Sequence, residues 1–183
     1  MGLLEQIARG AFLGEEFLTW LWYLSETTRE PIAVPKVGAC QIAMGQEIIL
    51  GDEAGDAQTV VLRGDMPSAS AEAREALASG KRLRRARIYL TIEGVQWGCT
   101  IVGTTLAISG LRVPSAAGAD FETDCLARLD TIERFSHTLR GLFEQFLERR
   151  LDPDRWETER RALAKWATAQ STPHRKTGIR EGI

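Results

Sequence analysis

The densest charge in the sequence is KRLRRAR, Lys81 to Arg87, with five cations in seven residues and no acid between them. Guanidinium and ammonium groups in such a row suit phosphate oxygens, and contacts of that kind carry no base information. The same run at the entrance of a strand has a plainer use, since charged residues there discourage edge-to-edge pairing. Strand alternation decides which side chains act together. Continued backward from Ile88, it puts Arg85 and Arg87 on the exposed face with Tyr89 and Thr91, leaving guanidiniums beside a ring and a hydroxyl. Lys81, Arg82, Arg84, Arg85 and Arg87 are therefore the candidate site residues. Other cations are weaker candidates. Arg128, Arg134 and Arg140 interleave with Asp130, Glu133 and Glu144 and can pair along a helix. His174, Arg175, Lys176 and Arg180 form a basic C-terminal arm.

No other residue set announces a reaction. The sequence holds neither a GxxxxGK[ST] loop nor a GxGxxG turn, and no GxSxG elbow presents a serine. The pairs Glu15/Glu16 and Glu157/Glu159 read as helix surface, and His137 stands alone between Phe135 and Leu139. Cys40, Cys99 and Cys125 are widely spaced, and no CxxC or clustered histidine accompanies them. That usage points to buried, reduced thiols in a cytosolic chain rather than to disulfides or zinc. No catalytic residue, metal or cofactor is expected, and the chain reads as a non-enzyme.

The elements that must position the cations follow from periodicity. In FLTWLWYL and its flanks, Leu13, Phe17, Leu21 and Leu24 recur at helical spacing from Ala11 to Ser25. Trp20 widens that apolar stripe, whereas Glu15, Glu16 and Thr19 fall on the opposite face. The segment is too short for the roughly 18 apolar residues of a membrane span. MGLLEQIARG has no basic region ahead of an apolar run, so no secretory leader is expected. Beyond Pro31 and Pro35, short strands are expected at Val37–Met44 and Glu47–Leu50 around a Gly45-Gln46 turn, with another at Thr59–Leu62 after the loop GDEAGDA. Ser68 or Ser70 caps a short helix that Gly80 closes. Residues 87–93 and 96–102 form strands around Gly94, and a third strand is expected at Thr104–Ile108. A long helix runs from Asp120 to near Arg150, and a second from about Asp154 to Ala169 after the Asp-Pro break.

Together these elements predict an α+β fold, a small antiparallel sheet packed against the aromatic N-terminal helix and the long C-terminal helix. Of 183 residues, 44% are hydrophobic and 26% charged, which suits one domain, taken as 1–170, with 171–183 as a flexible tail. The formal net charge of −2 gives the whole molecule no pull toward nucleic acid, so such binding would depend on local arrangement.

The order of these pieces carries a resemblance. LTWLW, then small strands, a short helix ending ALASGK, a meander with GVQW, then LRVP and a long helix resembles the C-terminal half of the recombination-associated RdgC family, over about Phe12 to Leu147. Its motifs are scattered and shared in order rather than forming a catalytic signature. The resemblance implies non-catalytic binding of double-stranded DNA without sequence preference, a homodimer, and a role in limiting RecA recombinase on DNA. It implies a cytoplasmic, nucleoid-associated protein with no membrane contact, and it makes Lys81, Arg82, Arg84, Arg85 and Arg87 the DNA-binding surface. A different reading makes the chain a protein–protein adaptor, with Trp20, Trp22 and Tyr23 of Phe12–Glu26 as its interface.

Overall fold

The computed structural model describes residues 3–52, 59–113 and 121–169, with side chains from Leu13 onward. The expected segments 171–183 and most of GDEAGDA lie outside the described residues. The chain is α+β, as its periodicity predicts. Helix α1 spans Leu3–Thr27, and the strands are β1 (Ile32–Val34), β2 (Gly38–Gly51), β3 (Val60–Arg63), β4 (Arg82–Ile92), β5 (Val95–Val102) and β6 (Ala107–Arg112). Helix α2 covers Ala71–Ala78, α3 Phe121–Leu151 and α4 Pro153–Thr168. The strands form one antiparallel sheet in the order β1-β2-β4-β5-β6, and β3 pairs with the distal half of β2.

Helix α1 lies between the sheet and the α3–α4 pair, which is why its apolar residues go nearly all the way round. Phe17, Leu18, Trp20, Leu21 and Trp22 are all buried. One side meets the inward row of β4, Leu83, Ala86, Ile88, Leu90 and Ile92, together with Ile48, Trp97 and Ile101. The other side meets α3 and α4: Phe17 packs edge-on to Phe143 with centroids 5.1 Å apart, and Trp20 lies 5.9 Å from Phe146. Trp22 is edge-on to Trp166 at 5.2 Å. Buried indoles usually find a partner for the N–H, and three here do, whereas the Trp97 N–H has none among the described residues. Trp20 donates to Glu159 at 2.8 Å, while Glu26 accepts from both Trp22 and Trp166 and also holds Arg74. The tryptophans set aside as a possible interface are thus internal. Exposed apolar side chains occur instead on the first half of α3, at Phe121, Leu126, Leu129 and Ile132.

Three local expectations need correction. Strand β2 does not turn at Gly45-Gln46. It runs through as 14 residues with a bulge, in which Gly45, Gln46 and Glu47 stand opposite Arg87 alone. A two-residue hairpin turn needs positive φ at its centre, and Gly45 does not have it. The strand expected at Thr104–Ile108 begins only at Ala107, because the preceding residues make the turn, with Leu106 at φ 55° and Ala107 N–H donating to the Thr105 hydroxyl. Glu15, assigned to a polar face, is 4% exposed. Other signals hold. Ser70 caps α2 by accepting from Ala73 N–H at 3.1 Å, and Gly80 follows the helix at φ 95°. Glu93 and Gly94, both at positive φ, make the tight β4–β5 turn.

Candidate nucleic-acid interface

The basic run opens β4, and the sheet divides it into two groups. Between Ile49 and Leu50 of β2 the pairing slips: Ile49 faces Arg85 and Leu50 faces Leu83, so Arg84 is an extra residue in the ladder. A bulge of this kind re-aims side chains. Arg84 Nε lies 3.2 Å from the buried Glu15 carboxylate of α1, and its Nη2 donates to the Asp52 carbonyl. Arg82 Nη1 is 3.9 Å from the same carboxylate. Lys81 Nζ donates to Asp52 at 3.0 Å, with its side chain 10% exposed. Lys81, Arg82 and Arg84 therefore tie the start of β4 to α1 and to the end of β2.

Past the bulge, regular alternation resumes and the expected row appears. Ala86, Ile88, Leu90 and Ile92 point into the core, while Arg85, Arg87, Tyr89 and Thr91 lie on the opposite, open face. Helices α1–α4 gather on the core side, so no helix among the described residues covers this face. A groove of about 550 Å³ crosses it, lined by Arg85, Arg87 and Tyr89 of β4, Arg63 of β3, Thr100 of β5 and Arg112 of β6, with Glu47 and Asp65 also on its walls. Four arginines against two carboxylates leave the groove positive in a chain whose net charge is −2. Arg63 and Arg112 were not singled out by the sequence. Both end their strands and sit far from the basic run, and only strand order brings them beside it.

The groove cations differ in how they are held. Glu47, at the β2 bulge, takes Arg63 at 2.8 Å and approaches Arg85 at 3.7 Å. Arg87 pairs with no carboxylate among the described residues. Its Nε donates to the Tyr89 hydroxyl at 3.2 Å, its guanidinium carbon stands 5.6 Å from that ring's centre, and its buried Nη2 has no hydrogen-bond partner. Arg112 likewise has no carboxylate within ion-pair reach among the described residues, although it lines the same groove.

No cluster of three or more His, Cys, Asp or Glu with metal-binding geometry occurs among the described residues. His137 is exposed beside Glu133 at 3.5 Å on α3. Burial pushes the Cys40 and Cys99 thiols up to about 11, the opposite of an activated nucleophile, and Cys125 lies exposed. No helix among the described residues is long and apolar enough to cross a membrane. Compared with family models, curated proteins and solved structures, the chain finds no match.

Proposed function

We propose that this protein binds DNA without catalysis and without sequence preference, through the open face of its sheet. The observation that carries the reading is the convergence of Arg63, Arg85, Arg87 and Arg112 in one uncovered groove. Guanidinium forks there take backbone phosphates, releasing the counterions condensed on the duplex. Contacts limited to phosphate give affinity without base readout. Of the five cations in the basic run, Arg85 and Arg87 make these contacts, while Lys81, Arg82 and Arg84 hold the strand entrance against Glu15 and Asp52. The resemblance to the RdgC family extends the proposal: a cytoplasmic, nucleoid-associated protein that occupies duplex DNA and limits recombinase access, acting as a homodimer.

A gel-shift titration with random-sequence duplex tests this directly. The double variant Arg85→Ala/Arg87→Ala is expected to lose most of the affinity, whereas Lys81→Ala keeps it. Parent-level binding by the double variant would sink the proposal. The adaptor reading moves from α1, whose tryptophans are internal, to the exposed Phe121, Leu126, Leu129 and Ile132 of α3. A stable hetero-complex without DNA retention would favour it.

A further inference from the structure

Within the groove, Arg87 is held unlike any of its neighbours. Its side chain crosses the sheet over glycines supplied by three different strands. A Cβ on Gly45 of β2 would come 2.8 Å from Arg87 Cγ, one on Gly98 of β5 would stand 3.5 Å from Nη2, and one on Gly110 of β6 would stand 4.0 Å from Nη1. The added Cβ on Gly98 would also lie 2.7 Å from the Tyr89 ring. The guanidinium therefore lies on a bare backbone floor, oriented by the Tyr89 hydroxyl, with little freedom left to lose on binding.

Two neighbours complete the arrangement. Thr100 is the register partner of Arg87, and Arg112 is the register partner of Gly98, so a hydroxyl and a second guanidinium flank the first on adjoining strands. All three line the groove. Neither Arg87 nor Arg112 has a carboxylate partner among the described residues, whereas Arg63 and Arg85 share Glu47. A fixed, partly covered guanidinium without a carboxylate partner calls for an anion: Arg87, its Nε on the Tyr89 hydroxyl and its Nη2 buried, supplies fixed charge, and the exposed Arg112 supplies the planar fork whose paired N–H bonds match a tetrahedral oxyanion.

We propose that Arg87 and Arg112, with the Thr100 hydroxyl, form a preorganised seat for one phosphate group. The inference rests on the DNA-binding reading for its natural ligand, where the seat fixes a single backbone phosphodiester in register on β4–β6. A free phosphate monoester has the same chemistry and is the other source of ligand.

The test uses the full chain and inorganic phosphate, with sodium phosphate replacing sodium chloride at constant ionic strength and pH. Amide resonances of Gly98, Thr100 and Gly110 are expected to shift saturably, and Arg112→Gln to weaken that saturation about tenfold. Arg112 is exposed at the end of an edge strand, so its variant should fold, and unchanged chemical shifts elsewhere check this. Shifts spread over all basic residues without saturation, or an Arg112→Gln titration identical to the parent, would overturn the seat. A duplex titration separates the two ideas. Saturable phosphate binding without DNA retention keeps the seat and removes the DNA reading. DNA retention without phosphate saturation does the reverse.

Discussion

Glu15 is the side chain on which the N-terminal end of the fold turns. Its carboxylate is buried on α1, with Arg84 at 3.2 Å and Arg82 at 3.9 Å. Removing one partner of such a pair leaves a charge without compensation, so Glu15→Ala should cost about 3 kcal/mol, the low end for buried pairs because Arg84 keeps some solvent. Chemical denaturation measures it. The expectation is a lower midpoint with an unchanged slope, and no change in DNA affinity once the variant is folded. Glu47 acts in the opposite sense. It offsets part of the charge of Arg63 and Arg85 inside the groove, so Glu47→Gln should raise duplex affinity severalfold at low salt, read by the same gel shift. A fall in affinity would contradict the placement of the DNA on this face. Neither role was legible in the sequence. Glu15 looks like helix surface because the arginines that bury it lie on β4, far along the chain. Glu47 looks like the start of a returning strand because nothing local announces the bulge.

At the scale of elements, close approach explains what periodicity does not. Gly14 sits where α1 crosses the β5–β6 turn, and a Cβ there would meet the Gly103 carbonyl. Gly14→Ala should therefore cost about 3 kcal/mol, the upper end for overpacking, and a thermal melt reads the loss. The helix periods, the Ser70 cap and the Glu93-Gly94 turn were legible because each is a short-range preference that the packing keeps. The long β2 and the late start of β6 were not, since both depend on what lies across the sheet. The strands also set the chemistry of the thiols. Cys40 and Cys99 point into the core, and burial raises each from 9.0 to about 11. Between those values the unfolded chain releases these protons and the folded chain keeps them. Stability should therefore be unaffected by these groups below pH 9 and fall as the pH rises from 9 toward 11. In the native protein at neutral pH, a thiol reagent should modify Cys125 and spare Cys40 and Cys99. Rapid labelling of all three thiols would place the sheet core wrongly.

For the whole molecule, the layering assigns the two faces of the sheet different work. One face is closed by α1 and backed by α3 and α4, so the aromatic segment that invites thoughts of membranes or partners is the middle of the core. The other face is covered by no described helix, and its groove is positive although the chain is slightly acidic. Half of the candidate site was visible beforehand: alternation from Ile88 placed Arg85 and Arg87 beside Tyr89, and the structure has them there. The other half, Arg63 and Arg112, belongs to strand order, which single-sequence patterns do not encode. The most direct measurement is duplex affinity as a function of salt for the parent and for Arg87→Ala/Arg112→Ala. With four groove arginines neutralising phosphates, affinity should drop about a hundredfold between roughly 50 and 200 mM salt, and the double variant should lose about half of that slope. Binding that does not respond to salt, or a double variant with the parent's slope, would contradict the account.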